Sequence, residues 1–473
     1  MGSQTGFSRR LAQLALGEPD RPLVFLGNFE VEEEWARGEC TLPRISSAGH
    51  AVVVNRMDEF ALLLGGTGDH VVLKGAPDPD HLEHLAALGL PLPTVHVAAG
   101  ADPRRKVTAD ALADPGLLAR LAGLGAAGAH LAAHGISPLE EEFARQAGLP
   151  LLGPGAALSK QVNSKVYSRR AADELGLRQA EGWSSETPQE LEQALDAAAR
   201  VVRDGGTVAV KEAFGVSGKG ISVVDRPARL DRLRRMLATR LESGGGQRAC
   251  FVIERWLDKL EDLNYQFTVS REGSVHFDFV KTAVTEGGVH KGHRFPARLS
   301  GAHLAEVEQA AEALGKRLAA DGYVGVVGVD ALIDAEDVLY PVIEINARFN
   351  MSTYQLPLQE HLIGFEQLAL AKHYPLRLTS ARPFAELGTL LDGLLLRRPG
   401  GNGLVVSNYA TVNAGAGRDR ETEAFDGRLY GLVIADSQAR LNALDSAVAD
   451  RLAGWPAQAS GSLPQSTSST PEA

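Results

Sequence analysis

The sequence of 473 residues contains only two cysteines, Cys40 and Cys250, which lie far apart in the chain. Neither cysteine has the spacing of a metal-binding motif, and two cysteines are too few for a disulfide framework. The scarcity of cysteine therefore argues against a disulfide-stabilised secreted domain and favours a reducing compartment.

Long apolar runs are also missing, since none reaches the roughly 18 residues that a membrane span needs. The first six residues, Met1–Gly6, place Gly where a myristoylation signal has Ser or Thr, and no signal-peptide pattern follows. These absences predict a cytoplasmic protein without a membrane partner.

An excess of positive charge is missing as well. The 48 Lys and Arg residues are outnumbered by 59 Asp and Glu residues, which gives a net charge of −11. This balance disfavours a nucleic-acid partner, because such proteins need a basic surface. Composition is otherwise that of a globular enzyme, with 44% apolar and 23% charged residues.

The order of strand-like and helix-like patterns predicts an α/β chain of five segments. Residues 1–155 alternate short apolar runs with helical patterns, which predicts a mostly parallel sheet. Residues 156–248 contain helices and a glycine-rich turn between strands, and strands dominate residues 249–380. A small α+β region follows over 381–456, and the polar tail 457–473 is expected to be disordered.

The segment 207–224 is the first that indicates chemistry, because it reads as strand, glycine-rich loop, strand. Glycines let backbone N–H groups surround phosphate oxygens, and Lys211 near the end of the first strand adds a fixed positive charge. The loop is not a Walker A motif, since it runs into a strand and lacks that spacing. Taken alone, an ordinary β-hairpin explains it equally well.

A second segment, 250–261, is an apolar strand that runs into Glu254 and Glu261. An adenine needs an apolar slot with a backbone donor and acceptor, and a ribose diol is matched by a carboxylate. The segment by itself fits a strand that ends in a charged loop at least as well.

The most informative stretch is 325–348, which reads as two apolar strands joined by a polar turn. The turn places Asp330 opposite Glu344 in an antiparallel pair. Glu344, Asn346 and Arg348 are spaced by two and therefore share one face of their strand. Such all-oxygen donors suit Mg²⁺, and an arginine beside them can neutralise a phosphoryl or carboxylate group. Charged residues on an exposed strand are the alternative, but the alternation within apolar strands favours a functional site.

These segments, in this order, resemble the ATP-grasp superfamily over roughly residues 155–375. The resemblance implies that ATP binds together with two Mg²⁺ ions, for which Mn²⁺ is a possible substitute. The matching nucleotide ligands are Lys165, Lys211, Ser217, Gly218, Glu254, Arg255, Leu257 and Glu261. The matching metal ligands are Asp330, Glu344 and Asn346.

Three short segments, Gly27–Glu30, Trp35 and 163–168, resemble the peptide ligases of pheganomycin biosynthesis more closely. Members of that group carry a Rossmann-like pre-ATP-grasp domain before a two-subdomain ATP-grasp fold. The resemblance implies that a small carboxylic acid is joined to an amine or peptide through an acyl phosphate, in antibiotic biosynthesis, with a homodimer as a possible assembly. Another ATP-grasp reaction, such as carboxylation, and a non-catalytic nucleotide-binding regulator remain as alternatives.

One departure from the family concerns the cation that stabilises phosphoryl transfer. D-alanine ligase-like members often have Arg two residues before the metal-binding Asp, where this sequence has Gly328. We therefore expect Arg348 or Arg294 to supply that charge, with Lys281 as a further catalytic candidate. An exposed loop explains the polar run around Arg294 equally well.

Overall fold

The computed structural model describes residues 6–42, 48–215, 220–244, 248–286, 289–416 and 424–455. Three sheets are present in these ranges, two of four strands and one of eight. No helix within them combines the length and apolarity that crossing a membrane requires.

The first layer is a parallel sheet with helices around it. Its strands are β1 (Leu23–Leu26), β2 (His70–Leu73), β3 (Thr94–Val97) and β4 (His130–Ala133), in the order β3-β2-β1-β4. The helices are α1 (Phe7–Leu16), α2 (Val31–Trp35), α3 (Ala48–Val54), α4 (Pro79–Ala87), α5 (Val107–Leu112), α6 (Pro115–Ala126) and α7 (Pro138–Gln146), with a 3₁₀ helix at Met57–Leu63. All four residues of β1 are buried, as expected of a strand covered on both faces. The predicted parallel sheet is confirmed.

The second layer is a small antiparallel sheet between helices. It contains α8 (Ala156–Val162), α9 (Lys165–Glu174), β5 (Gly182–Ser185), α10 (Pro188–Arg203), β6 (Val208–Glu212), β7 (Ile221–Val224), α11 (Pro227–Ser243) and β8 (Phe251–Arg255). The strand order is β5-β8-β6-β7. Thr187 and Glu190 form a capping box at the start of α10, which fixes where that helix begins.

The third layer is an eight-stranded antiparallel sheet. Its elements are β9 (Lys259–Val269), β10 (Val275–Glu286), β11 (Val289–Phe295), α12 (Gly301–Ala320), β12 (Gly325–Asp334), β13 (Leu339–Asn346), α13 (Met351–Leu362), β14 (Leu368–Leu378), α14 (Phe384–Leu390), β15 (Gly403–Asn408), β16 (Phe425–Ala435) and α15 (Gln438–Ala453). The strand order is β13-β12-β9-β10-β11-β14-β16-β15.

The third sheet extends across residue 380, where the sequence analysis ends one segment and begins the next. Strand β14 ends before residue 380, and it pairs along its whole length with β16, which follows that position. Strands on either side of residue 380 therefore share one sheet. The bounds of the five segments stay a prediction, and the tail 457–473 lies outside the described residues.

A buried acid lies at the carboxyl edge of the first sheet. Glu30 follows β1 and is 6% exposed, and its Oε2 has no hydrogen-bond partner among the described residues. The pKa of Glu30 is raised from 4.5 to about 8, mainly by burial and in part by the charge of Asp58, which together outweigh the lowering by Lys106 and Lys74. The carboxyl group is therefore protonated in the folded protein at neutral pH.

We predict that Glu30→Gln makes the stability of the protein less sensitive to pH. The pKa of Glu30 is higher in the folded than in the unfolded chain, so its contribution is present below pH 4.5 and is lost as the pH rises through 8. The variant should match the wild type near pH 5 and exceed its unfolding free energy by about 4 kcal/mol at pH 9. Urea denaturation at both pH values measures this difference.

The exposed Glu83 of α4 provides the control, because Glu83→Gln should leave the pH dependence unchanged. Parallel pH profiles for Glu30→Gln and the wild type would show that Glu30 ionises normally.

Candidate nucleotide and metal site

Two carboxylates face each other near the edge of the eight-stranded sheet. Asp330 on β12 lies opposite Glu344 on β13 and opposite Asn264 on β9. Asn264 Nδ2 donates to Asp330 Oδ1 at 2.8 Å, and Asn346 Nδ2 lies 3.3 Å from Asp330 Oδ2. Burial, and next the charge of Glu344, raise the pKa of Asp330 to about 6. The pair therefore gains from a positive charge placed beside it.

The strand that carries Glu344 also brings Asn346 and Arg348 to the acid pair. Ile345 and Ala347 pack into the apolar cluster beneath, so the alternate residues face the site. Arg348 Nη2 donates to Asn346 Oδ1 at 3.1 Å. Glu344, Asn346 and Arg348 therefore lie on one surface, as their spacing predicts. Asp330 on the neighbouring strand belongs to the same surface.

Lys165 connects the second layer to this surface. It is the first residue of α9, and its side chain is buried. The Lys165 Nζ donates to Glu344 Oε1 at 2.5 Å and to Gly215 O at 3.1 Å. Gly215 is the last described residue before the glycine-rich loop, so this lysine lies between the loop and the acid pair.

A second buried lysine lies on the strand that leads into the loop. Lys211 on β6 donates to Glu254 Oε1 on the neighbouring β8. The Nη1 of Arg169, from α9, lies 3.5 Å from the other carboxylate oxygen of Glu254. Two cations thus converge on one carboxylate, and the site holds positive charge on the side where the loop begins.

The remaining predicted nucleotide ligands lie in different surroundings. Leu257 is half-buried in the connection between β8 and β9, and Glu261 on β9 accepts from Thr282 Oγ1 at 2.9 Å. Arg255 is exposed, and its Nη2 pairs with Glu181 Oε2 at 2.9 Å rather than with the lysine cluster. The predicted ligands Ser217 and Gly218 lie outside the described residues.

Arg294 lies on β11, opposite Thr282 of β10 and Leu370 of β14, and its side chain is exposed. No hydrogen bond or ion pair among the described residues joins it to Asp330 or Glu344. Of the two arginines proposed from sequence, Arg348 is the one that the fold places at the acid pair.

Lys281 on β10 is completely buried. Its Nζ donates to Ser352 O at 3.1 Å and lies over the rings of Phe279 and Phe295, 4.1 and 4.6 Å from their centroids. Burial lowers the pKa of Lys281 well below its usual value. These contacts place the amine between β10 and the start of α13, in a packed interior rather than at a surface open to a substrate.

Three residues at the site were missed in the sequence analysis, Asn264, Arg169 and Glu32. Asn264 belongs to a run of polar residues at every second position of β9, the same signal that indicates the metal face of β13. Arg169 follows Lys165 by four residues and therefore shares its helix face. Glu32 pairs with Arg348, which lies 316 residues later in the chain, and no local sequence pattern predicts such a contact.

The residues present fit a hard divalent cation such as Mg²⁺. Asp330 and Glu344 provide carboxylate oxygens and Asn346 an amide oxygen, which are the donors that Mg²⁺ prefers. Among the described residues no group of three His, Cys, Asp or Glu side chains forms a metal site. Phosphate or water oxygens would therefore have to complete the coordination, as is usual for Mg²⁺ that binds with a nucleotide.

Two family models match the chain. The pre-ATP-grasp domain matches residues 57–149, and the ATP-binding domain of the carbamoyl-phosphate synthase L chain matches residues 164–378. A curated relative, the [butirosin acyl-carrier protein]–L-glutamate ligase of Niallia circulans, is 29% identical over 212 residues. The match covers 44% of this chain and 48% of the relative, so less than half of the relative's length is spanned.

Solved structures share the fold over nearly the whole chain. N5-carboxyaminoimidazole ribonucleotide synthetase in its ADP complex has a TM-score of 0.51 at 13% identity, covering 93% of this chain and 98% of that one. The biotin carboxylase domain of Hydrogenobacter thermophilus 2-oxoglutarate carboxylase, in complex with MgADP, ADP and bicarbonate, has a TM-score of 0.50 at 14% identity, covering 90% and 89%. At these identities the likeness shows the fold alone. The predicted fold, a pre-ATP-grasp domain followed by an ATP-grasp domain, is confirmed.

Gly328, two residues before Asp330, lies against the cap of α13. A Cβ added at Gly328 would lie 2.0 Å from Asn350 Nδ2. The Asn350 side chain accepts from the backbone N–H groups of Ser352 and Thr353 and so caps the helix. Because Gly328 has no side chain, Asn350 has the space to cap α13 beside Asp330.

We predict that Gly328→Ala lowers the unfolding free energy by about 1–2 kcal/mol, because the methyl group displaces the capping side chain. Urea denaturation measures the change. Gly301→Ala is the matched control, since a Cβ there meets nothing within 4 Å and the position opens α12. Equal stability of Gly328→Ala and the control would show that the cap moves without cost.

Proposed function

We propose that this chain, which belongs to the ATP-grasp superfamily, is an ADP-forming ligase that joins a carboxylic acid to an amine. One observation carries the proposal. Lys165 of the second layer contacts both Glu344 of the acid pair and Gly215, where the glycine-rich loop begins. Lys211 lies on β6, which leads into the same loop, and Arg348 lies beside Asn346 next to the acid pair. Fixed cations and oxygen donors in one place match what phosphates and Mg²⁺ together require.

The two lysines would neutralise phosphate oxygens of ATP. Each is buried and already held by a carboxylate, Lys165 by Glu344 and Lys211 by Glu254, so each occupies a fixed position before the nucleotide binds. Phosphoryl transfer asks a protein mainly for positioning and charge neutralisation, which such fixed cations supply.

Mg²⁺, held by Asp330, Glu344 and Asn346, would neutralise charge on the transferred phosphoryl group when bound. Arg348 contributes a further positive charge from this chain. Its Nε is buried and has no hydrogen-bond partner among the described residues, which leaves a donor for an oxygen of the acid substrate or of the acyl phosphate.

In the first step a carboxylate oxygen of the acid attacks the γ-phosphorus of ATP, the bond to the β–γ bridging oxygen breaks, and ADP leaves. In the second step the amine attacks the acyl carbon, phosphate departs with the bonding electrons, and the amine loses a proton. An amide, ADP and phosphate are the products. Residues 216–219 of the glycine-rich loop lie outside the described residues.

We further infer that an amino acid or peptide is one of the substrates and that the product is a secondary metabolite. The Niallia circulans relative, which is named as a ligase of L-glutamate and a carrier protein, supports this class. The short segments Gly27–Glu30 and 163–168 support it independently by their resemblance to peptide ligases.

The test is incubation of the protein with ATP, Mg²⁺ and pools of acids and amines, with ADP measured by a coupled assay and products by mass spectrometry. We expect ADP formation that needs both an acid and an amine, and a product of their combined mass less water. Formation of ADP with bicarbonate and without an amine would show a carboxylase instead. No ADP under any condition would contradict the proposal.

Asp330→Asn tests the metal assignment in the same assay. We predict a loss of Mg²⁺-dependent ADP formation of at least about 100-fold with a folded protein, because a carboxylate of the cation site is removed. Glu336→Gln, on the exposed turn between β12 and β13, is the control and should turn over like the wild type. Turnover of Asp330→Asn within threefold of the control would remove Asp330 from the site.

A further inference from the structure

A glutamate of the first layer contacts the arginine beside the acid pair. Glu32 of α2 forms an ion pair with Arg348 Nη2, and the two side chains are 9% and 10% exposed. Glu32 therefore pairs in a nearly dry environment, where an ion pair is screened little by solvent. Its neighbour Glu33 on the same helix is exposed, and it pairs with Lys106 at 3.3 Å instead.

The guanidinium of Arg348 is held on several sides. Its Nη2 donates to Glu32 and to Asn346 Oδ1, and its Nη1 donates to Phe349 O at 3.0 Å. These partners engage both terminal nitrogens of the planar group, while Nε remains without a partner among the described residues. A guanidinium fixed in this way keeps its Nε–H group in one orientation.

Glu32 can fix Arg348 only if α2 is itself fixed. Trp35, one turn later, is buried, and its Nε1 donates to Ile136 O at 2.9 Å. Gly135 permits the close approach, since a Cβ there would lie 2.8 Å from Val31 Cγ1 and 3.0 Å from Trp35 Cη2. The short helix is thus anchored to the end of β4.

The ion pair has a consequence for the acid pair. Arg348 Nη2 donates to Asn346 Oδ1, and Asn346 Nδ2 lies 3.3 Å from Asp330 Oδ2, so a single side chain separates the guanidinium from the acid pair. Without Glu32, we expect the buried guanidinium to turn toward another anion, and the acid pair beyond Asn346 offers one. Arg348 would then compete with the cation and the phosphates for the ligands it should assist.

We propose that Glu32 is a positioning residue, which holds Arg348 beside Asn346 and away from Asp330 and Glu344 so that its free donor can meet the reacting carboxylate or phosphoryl oxygen. The inference rests on the proposed function, since it assigns the first domain a part in the same reaction. It also accounts for the segment around Trp35, which the nucleotide and metal residues leave without a role.

The test compares Glu32→Gln with Glu33→Gln on the same helix. We expect Glu32→Gln to lower kcat for ADP formation by about 100-fold with KM for ATP changed less than threefold, because the nucleotide lysines are untouched. Glu33→Gln should match the wild type. Arg348→Gln and the double variant Glu32→Gln/Arg348→Gln complete the set, and the double variant should be no slower than Arg348→Gln alone.

A melting experiment adds a readout independent of turnover. Glu32→Gln should lower Tm, because it leaves the buried Arg348 without its anion, and the double variant should melt above Glu32→Gln. If Glu32→Gln does not fold, the comparison of the double variant with Arg348→Gln still decides, since equal kcat values are expected.

Three outcomes overturn the inference: kcat of Glu32→Gln within threefold of the wild type, equal losses in Glu32→Gln and Glu33→Gln, or losses that multiply in the double variant. Absence of ADP formation by the wild type would instead contradict the proposed function, while the melting cycle would still report whether the two residues are coupled.

Discussion

Asp330 and Glu344 lie opposite each other on β12 and β13, where burial and their mutual repulsion raise the pKa of Asp330 to about 6. Two acids in such a position destabilise the sheet unless positive charge or hydrogen-bond donors surround them. The neighbouring side chains meet that requirement. Lys165 pairs with Glu344, and amide groups of Asn264 and Asn346 contact Asp330.

The same requirement explains why the site lies between layers. The eight-stranded sheet provides the acids and Arg348, the second layer provides Lys165, and the first layer provides Glu32. Glu344 is paired with Lys165 and Arg348 with Glu32, each across two layers. The side chains that would bind a cation and a nucleotide are therefore already held in position. This reduces the reorganisation of charged groups that phosphoryl transfer requires.

Much of the site follows from periodicity alone. Because side chains alternate along a strand, the spacing of Glu344, Asn346 and Arg348 predicts that they share a face, and the turn length predicts that Asp330 faces them. The parallel character of the first sheet follows in the same way from short buried runs between helical patterns.

Contacts between distant segments could not be predicted in this way. Lys281 is separated by more than 70 residues from Gln355 and Ser352 of α13, beside which it is buried, and Arg294 is exposed on β11, so sequence neighbourhood gave no guide to their surroundings. Glu32 and Arg348 are 316 residues apart. Tertiary packing decides such positions, and neither residue type nor spacing encodes it locally.

The proposed function requires that a carboxylate is activated as an acyl phosphate between the acid pair and its cations. Transfer of ¹⁸O from a labelled carboxylic acid substrate into phosphate, followed by mass spectrometry during turnover with ATP, tests it most directly. The account predicts one ¹⁸O atom in each phosphate released, because the carboxylate oxygen that attacks the γ-phosphorus leaves with it. Unlabelled phosphate formed together with the amide would contradict the account.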